Sequence, residues 1–268
     1  MANSRFEYVR TFERENILLP QTHIVIRVDG RGFHKFSDFY EFEKPNDKLA
    51  LEIINKSALK LMQSIPDIIM AFGDSDEYSF LLKKDCELFE RREFKLITTF
   101  ASTFSAYYQF YWNQLNHSKP LDIDRLPTFD ARAIVYPNNI NVIDYFSWRQ
   151  ADCHINNLYN TTFWTLVSKG GMSTKEAENR LIGTLSADKN EILFTEFGIN
   201  YNNEPEQYKK GTIYVREVVD FPLEKYNENP SEITLNRILK RFKKTEIKEY
   251  NCDIIKEKFW NDRPYLFR

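Results

Sequence analysis

The first half of the chain alternates between the two-residue period of a strand and the wider period of a helix. Residues 22–29 (THIVIRVD) are rich in β-branched side chains and end at an Asp-Gly pair, which predicts a strand followed by a turn. Apolar residues recur at helical spacing over 47–64, where Asn46 or Asp47 would serve as the N-cap. A strand followed by a helix therefore opens the fold.

A hairpin, a second helix and a further strand follow. Residues 68–72 (IIMAF) and 78–82 (YSFLL) are strand-like and are joined by GDSDE, which predicts a hairpin. Residues 87–115 form a long helical segment rich in Phe and Tyr, and 129–136 (FDARAIVY) has the pattern of another strand. The predicted order is β-α-β-β-α-β, a split βαβ or ferredoxin-like unit with an antiparallel sheet.

This order of elements brings two acidic residues together. In the predicted topology the third strand runs antiparallel beside the first, so the end of strand one neighbours the start of strand three. Asp29 lies at the end of strand one, and Asp76 lies just before strand three. We expect both carboxylates at one end of the sheet.

The second half has a mostly helical pattern. Its predicted helices cover residues 144–168, 173 to about 181 and 186–197, and the second begins with capping-box spacing. A polar, Asn-rich stretch at 199–210 predicts a mobile loop, and 212–219 (TIYVREVV) is strand-like. We expect an α+β fold, an α/β sandwich, with a core at 1–137 and a mostly helical portion at 138–268.

Composition limits the classes of protein to consider. The chain has 268 residues, 42% of them apolar, so it can bury a sizeable core in one large domain or two small ones. Three widely separated cysteines and the absence of a signal-peptide pattern favour a reducing compartment, which is the cytoplasm with the nucleus as an additional location. No apolar run approaches membrane-spanning length. Because net charge is only −2, binding of RNA requires a local basic face.

The segment DGRGFH at 29–34 follows the first predicted strand. It is either an ordinary glycine turn or a phosphate-binding turn, in which Gly30 and Gly32 let backbone amides approach a triphosphate. The spacing of a dinucleotide-binding fingerprint fails, since position 35 is Lys. Asp29 would offer Mg²⁺ a hard oxygen ligand.

The turn GDSDE at 73–77 carries three acids. Turns favour such residues, but three carboxylates repel one another unless a metal, or Arg27 and Lys44, supplies counter-charge. Together with Asp29 they fit a pair of divalent ions about 4 Å apart, which can activate a hydroxyl and stabilise a leaving oxygen. The residues therefore predict phosphoryl or nucleotidyl transfer.

Four sequence blocks resemble the signature of the tRNA-His guanylyltransferase family: DGRGFHKF at 29–36, KPND at 44–47, GDSDEYSF at 73–80 and HINNLYN at 154–160. The opening SRFEYVRTFE is also similar, and HINNLYN resembles the eukaryotic form. The resemblance implies a fold related to the palm of template-copying polymerases, with residues 1–137 as the catalytic core. It also implies addition of a nucleotide to the 5′ end of histidine tRNA, using ATP, GTP and two Mg²⁺ ions.

The resemblance also implies particular site residues. Asp29, Asp76 and the carbonyl of Gly30 would hold Mg²⁺, and Glu77 would be a supporting acid. The GTP site would be formed by Asp29, Gly30, Arg31, Gly32, Phe33, His34, Ser75 and Asp76, with further nucleotide contacts from Lys44 and Asp47.

The sequence defines the RNA contacts less sharply than the metal and GTP sites. On a helix, His154, Asn157 and Asn160 share a face; they are either ordinary helix residues or, by the resemblance, part of the tRNA site. Arg91, Arg92 and Lys95 would lie on the second long helix and reach a triphosphate or RNA. The amphipathic basic stretch 237–244 (RILKRFKK) is either a solvated face or a contact to the tRNA backbone.

The resemblance also bears on assembly. Family members form tetramers, so the resemblance implies a homotetramer.

Two other functions are alternatives to nucleotide addition. A palm-like cyclase that makes a cyclic nucleotide from GTP would use a similar acidic hairpin. A non-catalytic RNA-binding module is the third hypothesis, although a pure binder gains nothing from converging acids.

Overall fold

The computed structural model describes residues 4–219, 231, 233–234 and 245–267. Within these residues, six strands form one antiparallel sheet in the order β4-β1-β3-β2-β5-β6. The strands are β1 (His23–Gly30), β2 (Ile68–Asp74), β3 (Glu77–Leu82), β4 (Phe129–Tyr136), β5 (Thr212–Val218) and β6 (Thr245–Tyr250).

Helices flank the sheet. They are α1 (Phe33–Phe39), α2 (Lys48–Ser64), α3 (Glu93–Leu115), α4 (Asn139–Ser168), α5 (Thr174–Leu181), α6 (Ser186–Phe197), α7 (Glu206–Lys210) and α8 (Glu257–Asn261). Short 3₁₀ turns cover Glu7–Phe12, Leu88–Arg91, Ile123–Arg125, Tyr201–Asn203 and Pro264–Phe267. Within the described segments, no helix is long and apolar enough to cross a membrane.

Both faces of the sheet are buried, because side chains along a strand point alternately to opposite sides. On β1, Ile24 and Ile26 join the core beneath α2 and α3, whereas Val25 joins the core beneath α4. Phe100 of α3 and Phe146 of α4 are fully buried in these two cores. The α/β sandwich with an antiparallel sheet is therefore confirmed.

The predicted β-α-β-β-α-β order is confirmed, and β3 lies antiparallel beside β1 as expected. The strand predicted over 212–219 is present as β5, which pairs with β2, whereas β6, which the sequence pattern did not predict, extends the sheet beyond β5. The portion 138–268 thus completes the same sheet as 1–137, and the boundary between them stays a prediction.

Two predictions of local structure were wrong. The stretch 199–210 is not a mobile loop: Tyr201 is buried with Leu158 and Leu193, and α7 follows. The long helix predicted from residue 87 begins only at Glu93, because 89–91 adopt left-handed backbone angles with φ between 52° and 58°. A tertiary contact in the first case and a backbone break in the second overrode the local pattern.

Candidate active site

The predicted convergence of acids occurs at one end of the sheet, where β1 ends and β3 begins. Asp29 at the end of β1 is the direct cross-strand partner of Glu77 at the start of β3. The backbone N–H of Gly30 donates to the carbonyl of Asp76 at 3.0 Å. Burial and the negative charge of Asp29 raise the pKa of Asp76, although hydrogen bonds from Ser75 and the backbone oppose the rise. The two predicted metal ligands are therefore electrostatic neighbours.

A two-residue hairpin turn aims the carboxylate of Asp76. Asp74 and Glu77 close the hairpin as partners, leaving Ser75 and Asp76 at its tip. Ser75 has φ of 54°, the positive angle that tight hairpin turns require at their first central residue. Its hydroxyl donates to the Asp76 carboxylate at 3.1 Å. The predicted hairpin is confirmed.

Gly30 allows the Asp76 carboxylate to lie against the backbone of β1. A Cβ atom at Gly30 would lie 2.7 Å from an Asp76 carboxylate oxygen and 2.4 Å from the Phe33 ring. Phe33 is itself packed between Tyr108 and Phe129, so its ring has little room to move. The absence of a side chain at Gly30 is thus a steric requirement of the site.

We expect Gly30→Ala to lower nucleotidyl transfer by about 100-fold, since misplacement of a reacting group by about 1 Å can cost that much. Steady-state kinetics on the purified variant would measure the loss. Gly183→Ala is the matched control, because a Cβ there meets nothing within 4 Å, although its φ is 75°. Gly183→Ala should lose stability and keep activity. Equal losses of activity in both variants would contradict the steric account.

Two arginines supply positive charge beside the acidic residues at this end of the sheet. Arg149 of α4 donates to both carboxylate oxygens of Glu77, at 3.3 and 3.2 Å, and to Asp152 at 3.1 Å. Arg27 lies 3.6 Å from Glu77, as the counter-charge argument predicted. The sequence interpretation missed Arg149, and Lys44, which it offered as a partner, pairs instead with Asp38 at 3.5 Å.

Asp74 is a further acid that the sequence interpretation left without a role. Burial and the nearby charges of Glu77, Asp76 and Asp152 raise its pKa to about 7, although a contact with Cys153 opposes the rise. A fraction of Asp74 is therefore neutral at neutral pH, which relieves repulsion within the acidic turn.

A cavity of about 990 Å³ opens beside the acids. Most of the residues expected to bind nucleotide line it, namely Asp29, Phe33, His34, Lys44, Asp47, Ser75 and Asp76. Gly30, Arg31 and Gly32 are not part of its described lining. They form the turn into α1, where the backbone N–H of Arg31 donates to the carbonyl of Thr128 at 2.8 Å. Helices α4 and α5 close the other side with Tyr159, Phe163, Trp164 and Glu178.

Asp47 has a structural role as well as a place in the cavity wall. One of its carboxylate oxygens accepts from the N–H of Ala50 at 2.8 Å and caps α2, as the sequence suggested. The other accepts from the N–H of Glu43 at 3.0 Å. Its contact with a nucleotide stays a prediction.

The structure contradicts the expectation that Arg91 contacts RNA. Arg91 is only 7% exposed, and its guanidinium donates to backbone carbonyls of Leu18, Leu19, Thr22 and Cys86. It clamps the N-terminal segment instead of facing solvent.

Arg92 and Lys95 remain available for the predicted role. Arg92 precedes α3 and pairs with Glu15 at 3.0 Å, whereas Lys95 is exposed with its amine 5.0 Å from the Phe89 ring. The basic stretch 237–244 lies outside the described residues.

The HINNLYN residues divide into buried and exposed positions. Asn157 is 6% exposed, and its carboxamide bonds to Asn46 and Tyr201, so the expected direct RNA contact is not supported there. His154 is exposed with its ring against Tyr201 at 5.7 Å, and Asn160 is exposed in the cavity wall. The tRNA contacts of His154 and Asn160 stay a prediction.

Comparison with known proteins agrees with this geometry. Residues 6–137 match the family model described as tRNAHis guanylyltransferase, and 140–256 match the one described as Thg1 C terminal domain. The tRNA(His) guanylyltransferase of Debaryomyces hansenii is 61% identical over 266 residues, 99% of each chain. The crystal structure of tRNA(His) guanylyltransferase from Saccharomyces cerevisiae is 54% identical with a TM-score of 0.76, covering 78% of this chain and 92% of that one.

A more distant solved structure is a bacterial tRNA(His) guanylyltransferase-like protein in complex with ATP. It is 26% identical with a TM-score of 0.65, covering 79% of this chain and 86% of that one. Converging carboxylates on an antiparallel sheet, beside a cavity of nucleotide size, define an enzyme of the nucleotidyltransferase class. The chain belongs to the tRNA(His) guanylyltransferase family.

Proposed function

We propose that this enzyme adds a guanylate to the 5′ end of histidine tRNA. The 5′-monophosphate of the RNA first attacks ATP, which releases pyrophosphate and leaves an adenylylated end. The 3′-hydroxyl of GTP then attacks that end and releases AMP, and pyrophosphate is finally removed from the added nucleotide. The convergence of Asp29 and Asp76 beside the cavity is the observation that carries the proposal.

The donor set fits two Mg²⁺ ions. The oxygen ligands on offer at this end of the sheet are Asp29, Asp76 and the carbonyl of Gly30. Mg²⁺ prefers one or two carboxylates, with phosphates and water completing its coordination. Among the described residues no group of three or more His, Cys, Asp or Glu side chains forms an all-protein metal site. A shared site, completed by the substrate's phosphates, agrees with both observations.

Bound Mg²⁺ would lower the pKa of an attacking hydroxyl and offset charge on the phosphates. The chain's own residues would position the substrate, which is the main protein contribution to such transfers. Lys44, at the cavity wall, would place a positive charge near the triphosphate. Glu77, held by Arg149 and Arg27, would support the two ligand acids without binding metal itself.

An end-labelling assay tests the proposal. Histidine tRNA with a 5′-monophosphate is incubated with Mg²⁺, ATP and GTP labelled at its α-phosphate. We expect label at the 5′ end of the RNA, dependent on ATP and abolished by EDTA. An Asp29→Ala variant that still binds tRNA should transfer no label. Absence of label with the wild-type enzyme would overturn the proposal.

The same assay separates the rival functions. Chromatography of GTP incubated without RNA would reveal a cyclic nucleotide if the site is a cyclase. Retention of tRNA by a protein that transfers nothing under any condition would favour the binding module.

The assembly and compartment are parts of the same proposal. We propose a homotetramer, as the family resemblance implies, and the cytoplasm as its compartment, with the nucleus as an additional one. Apolar residues exposed in the N-terminal 3₁₀ turn support an association surface, since Tyr8 is 65% and Phe12 76% exposed. Light scattering of the purified protein measures the assembly.

A further inference from the structure

A hydrogen-bond bridge runs from the cavity wall to a buried tyrosine outside it. The side-chain amide of Asn46 donates to the side-chain carbonyl of Asn157 at 3.0 Å. The amide of Asn157 in turn donates to the hydroxyl of Tyr201 at 2.9 Å. Three segments distant in sequence are thereby joined by two hydrogen bonds.

At one end of this bridge lies the loop 43–47. All five of its residues line the cavity, and they include Lys44 and Asp47. The Asp47 carboxylate ties the loop to α2 by accepting from Glu43 and Ala50. The hydrogen bond from Asn46 ties the same loop to α4 on the opposite side. The bridge therefore fixes how far the loop stands from α4.

At the other end lies Tyr201, which is held by packing. It is 4% exposed and forms a small core with Leu158 of α4 and Leu193 of α6. Burial raises the pKa of Tyr201 to about 12, so the hydroxyl stays neutral at physiological pH. Because this hydroxyl is fixed and neutral, it can accept from the Asn157 amide and favour one of the two orientations of the Asn157 carboxamide. In that orientation the Asn157 carbonyl faces Asn46.

We propose that Tyr201 is a positioning residue for nucleotide binding, acting through Asn157 and Asn46 on the loop 43–47. Tyr201 lies behind the cavity wall and is not among the lining residues in the part of the chain described. Its hydroxyl can act on a nucleotide through Asn157, which itself lines the cavity, and through Asn46. This inference rests on the proposed function for the identity of the nucleotide, GTP.

The size of the effect follows from one buried hydrogen bond. Removing the hydroxyl leaves the Asn157 amide without an acceptor, and an unsatisfied buried donor is destabilising. If this loss weakens the placement of the loop 43–47, we expect GTP affinity to fall about five- to tenfold. The chemistry is not touched, so kcat should change less than twofold.

The experiment uses Tyr201→Phe in the full-length enzyme, which keeps the packed ring. We expect the KM for GTP, and the Kd measured by calorimetry with Mg²⁺, to rise about five- to tenfold while kcat holds. Hydrogen exchange at the Glu43 amide should become faster. Tyr250→Phe is the matched control, since that hydroxyl donates to Glu217 at 2.7 Å in the sheet-edge region. It should lower the melting temperature without changing KM.

A double variant isolates the bridge from general destabilisation. Asn157→Leu removes both hydrogen bonds, so adding Tyr201→Phe to it should raise KM no further. Additive effects, or an unchanged KM and Kd in Tyr201→Phe, would overturn the proposal. If the wild-type enzyme labels no tRNA, the proposed function fails, whereas calorimetry and hydrogen exchange still report on the bridge.

Discussion

Asp76→Asn is expected to abolish measurable transfer while leaving the fold as stable as the wild type or more stable. Replacement of the Asp76 carboxylate by a neutral amide removes a proposed metal ligand, and loss of a single well-placed electrostatic group already costs about 10²–10³-fold in enzymes. Loss of a metal ligand should exceed that range, so we expect kcat to fall by at least about 10³-fold, equivalent to about 4 kcal/mol. Single-turnover labelling of histidine tRNA provides the sensitivity.

The stability of this variant is the more diagnostic measurement. Burial and the charge of Asp29 raise the pKa of Asp76, which means that the folded protein disfavours its ionised form. A neutral asparagine of the same size relieves that cost in the absence of metal. Thermal melting with EDTA should therefore show no decrease, and melting with Mg²⁺ should show less stabilisation by the ion than in the wild type.

Asp124→Asn provides the control, because Asp124 is exposed in a surface 3₁₀ turn. It should leave transfer and melting unchanged. An Asp76→Asn variant that keeps more than about a tenth of the wild-type rate would exclude Asp76 as a metal ligand.

The position of these acids was predictable because it depends on topology. If residues 22–29 and 78–82 are strands of a split βαβ unit, their antiparallel pairing brings Asp29 and Asp76 to the same end of the sheet. Side-chain detail was not needed for that step. The same reasoning predicted the hairpin turn, since local chemistry alone encodes it.

The role of individual basic residues was not predictable in this way. Arg91 and Arg149 are both arginines near helical segments, but one clamps four backbone carbonyls and the other holds Glu77. Which groups each of them contacts depends on how α4 and the N-terminal segment pack, and that is a long-range property. Tyr201 was missed for the same reason, because its polar surroundings at 199–210 suggested a loop.

Removal of Arg149 should produce the second large effect. The pair Arg149–Glu77 is shielded from solvent, with side chains 10% and 17% exposed. We expect Arg149→Met to destabilise the fold by about 3 kcal/mol, because the loss of one partner of a buried pair is costly. It would leave Glu77 with only Arg27, at 3.6 Å, and would remove the Arg149 partner of Asp152. Urea unfolding followed by circular dichroism measures the loss. Activity should fall as well, since Glu77 is the cross-strand partner of Asp29.

A double-mutant cycle distinguishes the lost charge pair from lost packing. If Arg149 acts on Glu77, then Glu77→Gln in the Arg149→Met background should cost less than Glu77→Gln alone, because the carboxylate has already lost its main partner. Arg180→Met is the control: Arg180 and its partner Glu196 are 33% and 39% exposed, so its loss should cost less than about 1 kcal/mol. Equal costs for Arg149→Met and Arg180→Met would mean that Arg149 contributes no more than a surface pair. Arg27 would then be the main positive charge that stabilises Asp29, Asp76 and Glu77 in the folded protein.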